Sequence, residues 1–210
     1  MGPTTLVAVA THEHDHDHDH DHDHDEREEL SEAEARAEVE RLVRKEVALS
    51  QIRQYGDPVL RMRAGEVETF DEALPELTDR MLELMHDADG AGLAANQIGI
   101  LRRIFVCTLE GEDRVFVNPV VTPVGRDVES EIEGCLSLAS VRVPVERAAK
   151  VTIEAHDAHG APFSLELEGH PARVVQHEVD HLDGKLMLDR ADPESRREAL
   201  GILRPRLVLS

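Results

Sequence analysis

The sequence predicts an α+β fold in which antiparallel β-strands pack around a central metal-binding helix, and three observations carry that prediction. Two helical periodicities precede residue 90, six short strand-like runs lie between residues 104 and 167, and a further helical segment contains Gln176-His177-Glu178-Val179-Asp180-His181. Strands separated by turn residues, with helices gathered at either end, are the pattern of an α+β domain. At 210 residues and 40% apolar content the chain suits one catalytic domain with an appendage.

Taken in order, Thr4 to Ala10 is apolar but too short to span a bilayer, and no basic residue precedes it. Neither a signal peptide nor a membrane helix is expected there. Residues 12–25 alternate His with Asp or Glu and have nothing to bury, so residues 1–29 are expected to form a disordered, solvated acidic tail. Its seven histidines would bind divalent ions as any His-rich tract does.

Ser31 and Glu34 form a capping-box pattern opening a helix to about Ile52, with Ala33, Ala37, Val43 and Val47 among its apolar positions. Residues 30–52 thus read as a helical extension and 53–210 as the catalytic domain. Gly56-Asp57-Pro58 ends this helix. Pro75 suits the first turn of a second one, where Leu77, Met81, Leu84, Met85 and Ala88 recur at helical spacing until Asp89-Gly90. Strands are expected at 104–109, 115–117, 120–124, 141–145, 151–155 and 163–167, with a turn at 157–160. The histidine helix closes near Asp183-Gly184, where glycine suits a helix end.

Composition narrows the function. The net charge of -21 argues against a phosphate-neutralising surface, and four Phe, one Tyr and no Trp leave no base-stacking platform. Sequence-specific nucleic-acid binding is not expected. Two cysteines are too few for a disulfide scaffold and suit a reducing compartment, so the cytoplasm is expected.

His177 and His181, four residues apart, project from one helix face and can grip one divalent ion. Glu178 lies about 100° around the helix, placed to act on water at that ion without ligating it. A hydrolytic site needs a third ligand and an open position. Cys135, in Glu133-Gly134-Cys135-Leu136-Ser137, is the candidate, whereas Cys107 sits within an apolar strand and reads as core. The extended zinc-peptidase pattern fails, because Met187 stands where its third histidine belongs. Glu194 and Glu198 read better as a solvated helix face. In Gly90-Ala91-Gly92-Leu93-Ala94-Ala95-Asn96-Gln97-Ile98-Gly99, small residues allow close backbone approach and Gln97 can donate to a developing oxyanion. No Lys or Ser/Thr follows in the place a phosphate cradle requires.

These three motifs together resemble the peptide deformylase family, over about residues 55–189 and including Gly56-Asp57-Pro58-Val59-Leu60-Arg61 and Asn118-Pro119. The resemblance implies removal of the N-formyl group from the initiator methionine of nascent polypeptides, releasing formate. It implies a divalent metal, ferrous iron by expectation with zinc, nickel or cobalt compatible, on Cys135, His177 and His181. It further implies Glu178 as general base, the Gln97 side chain and Leu136 N–H as oxyanion donors, and Gly92 as a backbone contact to the peptide. Arg142 is expected near the substrate, Val174 in the wall of the methionine pocket, and Glu133 and Arg147 behind the ligands. Leu138-Ala139-Ser140 and Asn96 depart from the family pattern. Ribosome contact through Arg196, Arg197, Arg204 and Arg206 fits a nascent-chain substrate. The competing readings are a metallopeptidase of another family and a metal-storage protein built on the His-Asp tract.

Overall fold

The computed structural model describes residues 32–138 and 140–203. Helix α1 (Glu32–Gln51) is followed by a short turn of helix, Pro58–Arg61, and by α2 (Ala73–Asp87). Seven strands come next: β1 (Gly92–Ala94), β2 (Ile104–Leu109), β3 (Glu112–Pro123), β4 (Val128–Glu133), β5 (Val143–Ala148), β6 (Lys150–His156) and β7 (Pro162–Glu168). Helices α3 (His170–Leu182) and α4 (Pro193–Leu203) complete the described chain. Every strand pair is antiparallel, in one sheet of order β1-β2-β3-β6-β7 and a separate β4-β5 pair.

Alternation along β2 shows how the layers assemble. Ile104 and Val106 pack with Met81, Leu84 and Met85 of α2, while Phe105, Cys107 and Leu109 face Val175 and Leu182 of α3. The sheet is therefore covered on both sides at β2, which is a continuous apolar run rather than an alternating one. Phe105 stacks on Phe116 of β3 with ring centroids 4.5 Å apart. Helix α3 also touches β5 of the two-stranded sheet, which makes it the element around which both sheets gather.

The expected strands at 115–117 and 120–124 are parts of one longer β3, whose register shifts between Val117 and Val120. Asn118 takes φ +52 at this bulge. Its side chain accepts from Val67 N–H at 2.8 Å and donates to Val67 C=O at 2.9 Å, which holds the bent backbone. The strand expected at 141–145 is shifted to β5, β1 and β4 add elements not expected as such, and α4 contains the Glu194 and Glu198 read as a solvated helix face. Ala48 of α1 and Ile52 just beyond its end are buried, whereas Val43 and Val47 are more than half exposed. Ser31, the tail and the C-terminal Arg204 and Arg206 lie outside the described residues. No helix of the described residues is long and apolar enough to cross a membrane.

Candidate metal centre and active site

Cys135 follows β4 in a tight turn, its carbonyl accepting from Leu138 N–H at 2.9 Å. His177 and His181 rise from α3, which ends in Asp183-Gly184. Gly184 has φ +71, and a Cβ there would stand 2.6 Å from the Arg61 carbonyl oxygen, so both the backbone turn and the close approach require glycine. The ligand-capable atoms of Cys135, His177 and His181 all lie within 4.8 Å of one another. Cys135 Sγ is 3.2 Å from His181 Nε2, and the two imidazole rings meet nearly edge-on at 72°.

Behind these donors lies a buried ionic network. Glu133 Oε2 bonds His177 Nδ1 at 2.9 Å, which orients the ring and leaves Nε2 for the donor cluster. Arg147 donates to both Glu133 oxygens, at 2.6 and 2.9 Å, and to Asp180 Oδ2 at 2.8 Å. Arg173 reaches Glu133 Oε1 at 2.7 Å and the carbonyls of Val145 and Glu129, both at 2.8 Å. Arg190 donates to Asp180 Oδ1 at 2.7 Å. Burial alone would raise the Glu133 carboxyl, but hydrogen bonds from His177 and Arg147 outweigh it and hold the group well below the usual range. Burial would likewise raise Asp180, and its bonds to Arg190 and Arg147 lower it.

The donor set fits a divalent cation. Burial pulls His177 down, yet hydrogen bonds to Cys135 and Glu133 push it up to about 10, so the cluster demands a positive charge that a metal ion can supply in the proton's place. Burial, with His177 beside it, lowers His181, keeping that imidazole neutral as ligation requires. The His181 Nδ1 and Glu178 Oε2 atoms are buried without a hydrogen-bond partner among the described residues.

Glu178 is 4% exposed, and burial raises its carboxyl to about 7. A Cβ on Gly92 would stand 2.5 Å from Glu178 Oε1, so the loop backbone approaches this carboxyl as closely as glycine permits. Gln97 is buried; its Oε1 accepts from Ala94 N–H at 2.8 Å and its Nε2 donates to Ser137 Oγ at 3.1 Å, with Cys135 Sγ 3.7 Å away. One cleft of about 550 Å³ contains Gly92, Gln97, Cys135, Leu136, Arg142, Val174, His177 and Glu178. His181 lies beneath, 1% exposed. Arg142 is exposed and lies against Gly134, and Val174 both lines the cleft and packs in the core beside Val175.

The structure thus places Gly92, Gln97, Cys135, Leu136, Arg142, Val174, His177 and Glu178 around one cleft, with His181 and Arg147 buried behind it. Asn96, noted as a departure, is fully buried and its amide donates to the His181 carbonyl. Sequence reasoning missed Ser137, Asp180, Arg173 and Arg190. Asp180 lies within the histidine motif and Ser137 within the cysteine motif, so both carried a signal through position; Arg173 and Arg190 required the fold.

The family model described as polypeptide deformylase matches residues 49–197, extending beyond the span read from the motifs. Peptide deformylase 1 of Corynebacterium efficiens is 44% identical over 162 residues, covering 75% of this chain and 96% of the relative. The peptide deformylase of Thermotoga neapolitana is 43% identical over 158 residues, with 75% and 94% covered. The crystal structure of peptide deformylase from Thermus thermophilus superposes with a TM-score of 0.69 at 44% identity, covering 72% of this chain and 91% of that one.

Proposed function

The chain belongs to the peptide deformylase family, and from that premise we propose how its own residues carry out the reaction. The enzyme is a metal-dependent hydrolase that removes the N-formyl group from nascent polypeptides. The observation that carries the assignment of roles is the Cys135, His177 and His181 cluster with the buried Glu178 beside it in one cleft. These three residues would hold the ion, which when bound would supply Lewis-acid polarisation and lower the pKa of water at the site. Ferrous iron is the proposed native ion, and the thiol and two imidazoles also suit zinc, nickel and cobalt.

Glu178 takes the proton from the attacking water and returns it to the leaving amine. Burial raises this carboxyl toward neutrality in the metal-free site, which favours its taking and returning a proton. As charge develops on the formyl oxygen, the Gln97 amide and the Leu136 N–H donate to it; Gln97 is held in place by Ala94 and Ser137, so little reorganisation is needed. Gly92 lends its backbone to the peptide, Val174 walls the first side chain, and Arg142 meets the substrate backbone. Glu133 and Arg147 fix the orientation of His177.

The catalytic domain in this reading spans residues 53–210, with 30–52 an appended helix and 1–29 an acidic tail. The reaction takes place in the cytoplasm on chains leaving the ribosome, with Arg196 and Arg197 of α4 available for contact. The test is formate release from a formyl-Met tripeptide by protein purified without oxygen, with and without a chelator. Chelator-sensitive release is expected, with one iron per chain by elemental analysis; chelator-resistant release would overturn the metal's role, and no release from the one-ion protein would overturn the substrate.

A further inference from the structure

Most of α1 precedes the residues matched by the family model, yet the helix reaches the active-site cleft. Lys45 and Leu49 line the same cleft as Cys135, His177 and Glu178. Arg41 Nη1 and Lys45 Nζ both donate to Asp89 Oδ2, at 2.8 and 2.9 Å, and Arg44 lies 3.7 Å from Asp87. Asp89 adopts φ +55, a left-handed conformation that non-glycine residues rarely take. It is the residue at which the chain leaves α2 for the Gly90 to Gly92 loop, and that loop abuts Glu178. Two cations of α1 therefore grip the residue whose backbone aims the loop. Exposed pairs of this kind add little to global stability. Converging on one carboxylate at a left-handed residue, they set a position instead.

We propose that α1 is the far wall of the peptide cleft: Arg41 and Lys45 position the loop through Asp89, and Lys45 and Leu49 contact the substrate residues that follow the first. The inference rests on the peptide-substrate reading above. The cleft volume of about 550 Å³ accommodates more than the formylated residue, and its lining runs without a break from Glu178 to Lys45. Ile132, 61% exposed, adds apolar surface to the same cleft, so a peptide lying along it meets Leu49 and Ile132 as well as the charges of Lys45.

The test compares the full chain with Arg41→Ala/Lys45→Ala and Asp89→Gly, using formyl-Met peptides of two, three and five residues. Formate release gives kcat and KM, and fluorescence anisotropy gives Kd for a labelled, unformylated five-residue product. The expected result is that KM and Kd for the five-residue peptides rise about tenfold in the double variant while KM for the two-residue substrate rises less than about threefold. The value of kcat, which reads the position of the loop beside Glu178, is lowered by a common factor at every length. Asp89→Gly keeps the left-handed backbone without the carboxylate and is expected to share the KM defect. KM and Kd in the variants equal to those of wild type at every length would overturn the proposal, as would a rise in KM as large on the two-residue substrate as on the five-residue one. Wild-type protein that releases no formate, yet binds the longer peptide in a way the double variant loses, would count against deformylation and still support α1 as the wall.

Discussion

Replacing Arg147 with methionine tests whether the buried ionic network holds the site together. The Arg147 side chain is 3% exposed and makes three charge-assisted hydrogen bonds, two to Glu133 and one to Asp180. Methionine keeps much of the volume but leaves Glu133 with only Arg173 and His177, and Asp180 with only Arg190. Removing one partner from a buried ion pair costs about 3–5 kcal/mol, because the other charge stays buried. At roughly 2–4 °C per kcal/mol for a domain of this size, Tm should fall on the order of 10 °C. Loosening Glu133 also frees His177, so affinity for the ion should drop about 10- to 100-fold.

The pH dependence identifies the cause of the loss. Glu133 and Asp180 are held below their ordinary values of 4.5 and 3.8, so they stabilise the fold above those values, and that contribution disappears as pH falls through the lowered ones. In Arg147→Met the cost of burial dominates, and protonation relieves the stranded carboxylates. The stability gap between wild type and variant, measured by urea unfolding of metal-free protein, should therefore be widest near pH 7 and close on acidification below about pH 5. A gap independent of pH would mean that packing, not charge, was lost. A Tm shift of a degree or less would refute the network's structural role.

Glu178→Gln should retain one ion by elemental analysis while kcat falls about 10²–10⁴-fold. Because burial raises Glu178 to about 7, ionising it disfavours the fold as pH rises from the ordinary 4.5 through 7; the metal-free Glu178→Gln protein should be more stable than metal-free wild type at pH 8, by up to about 3 kcal/mol, and indistinguishable below pH 4. Gly92→Ala places a Cβ 2.5 Å from Glu178 Oε1 and must displace the base, so kcat should fall about 100-fold with the ion still bound; unchanged turnover would mean the carboxyl need not sit there. Cys135→Ala should abolish tight metal binding, whereas Cys107→Ala, in the middle of β2, should keep one ion and lose only stability.

Elements whose apolar residues face the core in the ordinary way were legible in the sequence. Strand β2 was located to the residue because it is buried on both faces, and α2 because Met81, Leu84 and Met85 repeat on the side that meets β2. Helix α1 was placed from its cap pattern. Its outward valines gave the right periodicity for the wrong reason, since Ala48 and Ile52 make the core contact while Val39, Val43 and Val47 face outward. Strand β1 was hidden by its small residues, Gly92-Leu93-Ala94, which read as a loop until β2 pairs with them. The histidine helix and Cys135 were legible because metal ligation restricts residue type and spacing far more tightly than packing does.

Strand β4 shows why the rest was not. Along Val128–Glu133 hydrophobicity does not track burial: every position through Ile132 is exposed, Val128 at 54% and Ile132 at 61%, and the one buried residue is Glu133, 5% exposed. Period-2 reasoning misses such a strand, because it looks for a buried face and assumes that the buried side chain is apolar. Here the buried position is occupied by the carboxylate that orients His177, and it can be there only because β5 contributes Arg147 and α3 contributes Arg173, from 14 and 40 residues away. A buried charge is stable only when its partners arrive with it. The requirement for Glu133 therefore lies in the tertiary pairing of three elements, and the local pattern that conceals β4 is a consequence of the work that strand does for the metal site.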